Sequence, residues 1–408
     1  MGHPAKVLAV KMARGFESLP LRQINKLHIM KIAFIHSDKK IATGAHYIND
    51  LINVKLKKHG VFVKNFYPKT PLTESPVHLK GLANILFFYS LLEKRKDISK
   101  YDLVQGTTYT PLPFLASNGI AVISHFGSTT QGFLDCTPLA KNINKETQKI
   151  WYELREKKIV ELNVKTRRPM RDIAEIEKYV AKRAKKLIAV SENVKKELIA
   201  LNVPEENIEV VHNAIEDYWF EENNSPIIEE PRIVFLGRLG RDSFTLKLKG
   251  VDRLIHLYKK FPKTKKTTIC MTTNKKLKEY LKSSLGEHDL FVNFKKDLIP
   301  NILKNLKGSI LFLPSRYEGF SLSLIEGMSQ GLIPVTYPVG VAPEIIRDGA
   351  NGYLVNSQKE AITRIESLFA NKKLRQYMSE KAKETAGEFR SEKMAEQLVA
   401  FYKKVINK

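Results

Sequence analysis

Cysteine is nearly absent from this chain. Cys136 and Cys270 are the two present in 408 residues. They lie far apart, and neither a disulfide framework nor a zinc site of the usual spacing can be built from them. They read as two ordinary thiols in a reducing cytoplasm. Long apolar runs are also lacking. None reaches the roughly 18–20 residues that a membrane-spanning helix needs. Candidates such as Ile85–Leu92 are far shorter and sit among lysines, so the chain is expected not to cross a bilayer, although it can still rest on one. No Gly-x-Gly-x-x-Gly follows any strand-like run, which counts against a dinucleotide-dependent oxidoreductase. The paired aspartates of a metal site are missing too. Asp252 and Asp297 stand alone and read as surface or capping residues.

Acid is in short supply. Lys and Arg number 68 against 43 Asp and Glu, a formal net charge of +25. The excess gathers in the first half: residues 51–100 hold ten basic residues against three acidic ones, and residues 141–197 hold seventeen against nine. Such a balance suits a nucleic-acid binder, a protein that works against anionic lipid, or one that uses anionic nucleotides. No aromatic-rich basic module of the single-strand or RNA type accompanies the charge. The first 29 residues carry five basic residues and one acid, Glu17. They lack the apolar core of a secretory signal and read either as a targeting segment or, preferably, as the product of an upstream start codon or a loose basic tail.

What the chain does have is alternation. Its length suggests two domains, at about 100–200 residues each. From Met30, the β-rich runs Lys31–His36, Val61–Phe66, Leu103–Gln105, Ala121–His125, Lys186–Val190 and Ile208–His212 alternate with helical stretches such as Ala45–His59 and Asn193–Leu201. The acidic run Glu216–Pro226 ends this series. A second series follows, with strands expected at Arg232–Leu236, Thr267–Met271, Leu290–Phe294, Ser309–Leu313 and Ile333–Thr336. Gly250–Phe261 and Leu322–Gln330 are helical stretches between them, and a helical tract, Glu392–Ile406, closes the chain. Strands alternating with helices predict parallel sheets. The expected class is α/β, with two Rossmann-like doubly wound domains facing each other across a cleft. The boundaries are a basic extension over 1–29, a first domain over 30–215, a linker over 216–231, a second domain over 232–385 and a C-terminal helix over 386–408. For that helix, packing back on the first domain is one arrangement.

The most informative stretch runs from Leu311 to Gly327. A buried strand ends at Pro314, a short polar turn follows, and Gly319 is expected to free the backbone just before a helix. The first helical amides, at Phe320, Ser321 and Leu322, have no intrahelical partner and make an anion site aided by the helix dipole. Glu318 stands in the turn and Glu326 about two turns later. A carboxylate accepts two hydrogen bonds and suits a vicinal diol, so one acid can hold a sugar ring and the other a ribose. Both repel phosphate, which calls for cations opposite. Arg238, after the strand Arg232–Leu236, and Lys249, before Gly250, are placed to reach a diphosphate and to stabilise charge on a leaving phosphate.

In this order, the residues resemble the retaining glycosyltransferases of family 4, which have the GT-B fold. That family carries two glutamates with seven residues between them, as Glu318 and Glu326 are. It also has a Gly-Arg-Leu followed by Lys-Gly, matched by Gly237–Leu239 and Lys249-Gly250. Downstream, Gly331–Val335, Val339–Gly349 and Asn351–Val355 fit its pattern. Earlier, the fit is looser, through Gly44, His125-Phe126-Gly127, Ala189–Val194 and Val210–Ala214. The resemblance implies that Glu326 binds ribose, that Glu318 binds the transferred sugar, and that Arg238 and Lys249 bind the diphosphate. Amides from Gly319 to Leu322 would contact sugar and phosphate. His125 would touch the sugar from the facing domain, and Gly44 would lie near diphosphate and acceptor. The residues alone also allow His125 to be a histidine satisfied at a strand end. His36, His46 and His212 read as structural or exposed, and Ser191 and Asn213 as turn and capping residues.

Three departures from the family pattern stand out. The loop from Arg238 to Lys249 is long, which leaves Lys247 as an alternative to Lys249. The glycine loop holds one glycine in Ile41–His46. Residues 128–178 form a basic, mostly helical stretch without family pattern, placed to shape the acceptor side. The expected activity is transfer of a sugar from a nucleoside diphosphate, UDP favoured, to a glycan, lipid-linked or other cell-envelope acceptor, with no metal and no cofactor. The expected setting is the cytoplasm, with an anionic inner membrane face open to it. The basic first half fits that membrane setting and a generally lysine-rich proteome equally. Rival readings are a catalytically silent partner subunit, which the intact glutamate pair opposes, and a basic nucleic-acid-binding protein.

Overall fold

The computed structural model describes residues 29–37, 44–68, 87–116, 119–138, 143–160, 167–221, 225–240, 242–272, 274–283 and 285–407. Residues 1–28 of the expected extension, half of the single-glycine loop (Ile41, Ala42 and Thr43) and Ile85–Leu86 of the apolar run lie outside them. So do residues 222–224 of the expected linker.

Two six-stranded parallel sheets form the two halves, as the α/β alternation led us to expect. The first has the order β2-β1-β3-β4-β5-β6, from β1 (Lys31–Ile35), β2 (Phe62–Phe66), β3 (Leu103–Thr107), β4 (Ala121–Phe126), β5 (Lys186–Ala189) and β6 (Ile208–Val210). The second has the order β12-β11-β10-β7-β8-β9, from β7 (Ile233–Arg238), β8 (Lys266–Met271), β9 (His288–Val292), β10 (Ile310–Leu313), β11 (Ile333–Thr336) and β12 (Tyr353–Leu354). Central strands such as Ile-Leu-Phe-Leu in β10 are apolar throughout and fully buried, because helices cover both faces of a parallel sheet. In the second sheet the order of connection reverses between β7 and β10. Ligands of such sheets bind in the crevice beyond the carboxyl ends of strands at a reversal of this kind.

The helices that matter for the site are α1 (Gly44–Lys58), α2 (Thr130–Cys136), α3 (Lys145–Glu156), α4 (Arg167–Arg183) and α5 (Glu192–Ala200) in the first half. In the second half they are α6 (Ser243–Leu248), α7 (Val251–Lys260), α8 (Lys275–Ser283), α9 (Leu322–Ser329) and the closing helix α10 (Ser391–Ile406). α6 occupies the stretch between Arg238 and Lys249 that the sequence suggested was a loop. Asp242 caps it by accepting from the Thr245 amide at 2.9 Å.

Two elements cross between the halves. α10 returns to the first sheet: Met394, Leu398, Phe401 and Tyr402 share a core with Ile32, Phe34 and Ile52, and the buried Tyr402 hydroxyl donates to Gln105 at 2.6 Å. α3 goes the other way. Ile150, Trp151 and Leu154 join a core with Leu254, Ile255 and Tyr258 of α7. Glu153 accepts from Lys259 at 2.7 Å and from the Tyr280 hydroxyl at 3.0 Å. The 128–178 stretch is therefore divided: α2 and α4 stay with the first half, and α3 belongs to the core of the second. Among the described residues, no helix is long and apolar enough to cross a membrane.

Candidate active site

Between the halves lies a cleft of about 740 Å³. Gly44, His125, Arg238, Lys249, Glu318, Gly319, Phe320, Ser321, Leu322 and Glu326 all line it. The sheet topology brings them together from both domains. Arg238 ends β7, and Glu318 follows β10, on the two strands flanking the reversal.

On the second-domain wall, the acids are engaged. The Lys249 ammonium lies 2.7 Å from Glu318 Oε1, and the Ser315 hydroxyl donates to the same oxygen at 2.7 Å. Both bonds use Oε1 and leave Oε2 outside them. An ammonium has three donors, so Lys249 holds Glu318 and still has protons for an anion. Lys249, and not Lys247, takes this place; the Lys247 ammonium lies over the Trp151 ring, 5.5 Å from its centroid. Arg238 is exposed at the strand end, and no ion pair holds it among the described residues.

Glu326 is buried, and burial pushes its carboxyl above the ordinary range, while the neighbouring Lys296 pulls it down. Lys296 Nζ is 3.2 Å from Glu326 and donates to both oxygens of Glu216 at 2.8 Å. It also lies over the Tyr47 ring of α1, 4.8 Å from the centroid. Sequence reasoning missed Lys296 and Glu216. One signal was available, since Lys296 stands just past the carboxyl end of β9.

Two expectations need correction. Asp252 is neither a surface residue nor a cap. It is buried and takes a two-pronged bond from Arg316, at 2.8 and 2.6 Å. Arg316 also donates to the Lys247 carbonyl at 2.7 Å. The pair thus clamps the Glu318 turn to α6 and α7. Gly319 is not the residue of unusual backbone. That residue is Ser321, at φ +85°, a left-handed conformation that L side chains rarely adopt outside constrained sites. Gly319 is needed for close approach instead, because a Cβ there would lie 1.8 Å from the Gly127 carbonyl oxygen of the facing domain.

The first-domain wall differs. His125, at the end of β4, is 4% exposed, and neither ring nitrogen has a hydrogen-bond partner among the described residues. It is therefore not a histidine satisfied by its strand end. Burial lowers its pKa to about 4, so the ring is neutral near pH 7. Asn213 also lines the cleft, buried, with Oδ1 unpartnered among the described residues. An unpaired buried polar atom costs about 1–3 kcal/mol, a cost that a ligand hydroxyl would remove. Glu177, on α4, accepts from the Thr130 amide and hydroxyl, both at 2.7 Å, and burial pushes its carboxyl up to about 7. Ser191 caps α5, accepting from the Val194 amide, as its sequence context suggested. Gly44 starts α1, and a Cβ there would meet Leu322 at 3.4 Å. His212 pairs with Glu344 at 2.8 Å, and His36 bonds Asn65 at 2.9 Å.

Family models cover most of this arrangement. The model for glycosyl transferases group 1 matches residues 217–385, and that for glycosyltransferase family 4 matches residues 64–217. The chain belongs to the group 1, family 4 glycosyltransferases. An uncharacterized glycosyltransferase of Methanocaldococcus jannaschii is 27% identical over 252 residues, which cover 57% of this chain and 62% of the relative, less than two thirds of its length. Sucrose-phosphate synthase of Thermosynechococcus elongatus has a similar fold, with a TM-score of 0.70 at 15% identity over 93% of this chain and 99% of that one. Anabaena HepE, solved with UDP-glucose, gives a TM-score of 0.61 at 15% identity over 92% of this chain and 100% of its own. These neighbours have the GT-B fold, and so does this chain.

Proposed function

We propose that this glycosyltransferase moves a sugar from a nucleoside diphosphate, UDP favoured, to a glycan, lipid-linked or other cell-envelope acceptor, with retention of configuration and without a metal. The observation that carries the reading is the facing of two unlike walls. A cationic strand end and helix start with two glutamates stand on one side, and a neutral, unpartnered imidazole stands on the other.

In this reading the diphosphate lies against Arg238, Lys249 and the amides at the start of α9. These groups stabilise charge on the leaving phosphate, the work that a divalent cation would otherwise do. Glu326 takes ribose hydroxyls. Glu318 orients the transferred sugar through Oε2, while His125, neutral, offers a donor and an acceptor to its hydroxyls. The acceptor attacks from the side that the phosphate leaves, and the leaving phosphate oxygen takes its proton. The enzyme contributes placement and charge stabilisation. The fold shared with a UDP-glucose-bound neighbour favours UDP, and the basic first domain favours an acceptor near anionic lipid.

A thermal-shift screen with UDP-, GDP- and ADP-sugars and NAD tests the donor class, since a ligand that binds the folded state raises the melting midpoint. A shift with UDP-sugars and none with NAD is expected. A shift with NAD alone would reject the reading. Proton NMR of the product's anomeric signal, with and without EDTA, then tests retention and metal independence.

A further inference from the structure

The chain neighbours of Glu318 are both held by the opposite domain. Tyr317 leaves the second domain and is 2% exposed. Its ring meets Phe133 of α2 edge-on, centroids 5.0 Å apart at 82°. Its hydroxyl accepts from the Thr129 amide at 2.9 Å and donates to Glu197 Oε2 of α5 at 2.8 Å. Glu197 also accepts from the Thr129 hydroxyl and from Asn193. Gly132 makes room for the ring: a Cβ there would lie 2.4 Å from Tyr317 Cε2. On the other side of Glu318, the Gly319 carbonyl accepts from the Ser191 hydroxyl at 2.6 Å, and its α-carbon fits against Gly127.

We infer that Tyr317 is a positioning residue: seated in a socket of Thr129, Gly132, Phe133 and Glu197, it sets Glu318 in its working place when the two domains meet. This rests on the role proposed above for Glu318. One residue separates Tyr317 from Gly319, and adjacent α-carbons are about 3.8 Å apart, so the chain has no slack to absorb a shift at either end. The same contacts tie domain closure to the active carboxylate. When the domains part, the hydroxyl leaves a half-buried carboxylate and a buried amide that water must then satisfy. Losing a hydrogen bond to a charged group costs enough to shift such a closure by roughly 10- to 100-fold.

The test uses the full-length protein with a donor identified by the screen. In Tyr317→Phe the ring and its packing remain and the hydroxyl is gone. In Glu197→Gln the shape remains and the charge is gone. For each, kcat is expected to fall roughly 10- to 100-fold while the donor KM stays within about threefold. The double variant is expected to lose little more than either single one, as groups in one network do. X-ray scattering is expected to show a larger radius of gyration for Tyr317→Phe and Gly132→Ala than for the wild type. A kcat within about threefold of wild type in both single variants would overturn the inference, as would a loss confined to KM. If the wild type transfers sugar from no donor, the functional reading has failed instead. Scattering then decides the positioning role alone, and unchanged curves for Tyr317→Phe and Gly132→Ala reject it.

Discussion

The two walls of the cleft are built on opposite plans. On the second-domain side the acids are already matched: Glu318 with Lys249, and Glu216 and Glu326 with Lys296. On the first-domain side, polar atoms on His125 and Asn213 have no partners among the described residues. A wall of matched charges is stiff before any ligand arrives, as electrostatic preorganisation requires. A wall of unpaired atoms gains most when a ligand supplies the missing bonds. Under the proposed function, positioning and charge stabilisation fall to one domain and ligand-dependent recognition to the other.

The largest expected effect breaks the matched wall. Glu318→Ala should abolish measurable turnover, a loss of roughly 10³-fold or more, with an unchanged circular dichroism spectrum. Released nucleotide measures it, and activity near wild type would remove Glu318 from the reaction. A smaller effect is expected across the cleft. His125→Ala should lower kcat/KM by roughly 10- to 100-fold, as one lost neutral hydrogen bond with some packing would, and should leave the melting midpoint of the unliganded protein almost unchanged. A large fall in that midpoint would mean that the imidazole serves the fold and not the ligand.

The smallest effect concerns pH. The Glu177 carboxyl is raised from an ordinary 4.5 to about 7 by burial. Between those values the folded chain holds a proton that the unfolded chain has released, so this residue's contribution to stability declines as pH rises through that window. Glu177→Gln should flatten this decline. Its melting midpoint relative to wild type should be higher at about pH 8 than at about pH 4.5. An equal difference at both values would show that folding leaves the Glu177 pKa unshifted.

Much of this was legible in the sequence, for identifiable reasons. Buried parallel strands are short apolar runs, so Ile310–Leu313 and Ile333–Thr336 stand out. The turn after β10 reads as a site because acids flank a glycine at a helix start. Lys296 did not stand out, because one lysine among 68 basic residues carries no signal until its three-dimensional neighbours are known. Asp252 was misread for the same reason: its partner Arg316 lies 64 positions away. Ser321 was overshadowed by the neighbouring Gly319, since residue type suggests which position can turn left-handed, while packing decides which one does. Tyr317 and Thr129 are separated by 188 positions, beyond any local pattern.

The path of α3 has a practical consequence. A helix encoded between β4 and β5 completes the core of the other lobe, while α10 repays the exchange from the far end of the chain. A cut within the expected 216–231 linker would therefore strip each fragment of a wall that the other supplies. Hybrid enzymes that borrow a first lobe from a relative should keep Lys145–Glu156 matched to the partner it touches, or the graft will expose Trp151 to water.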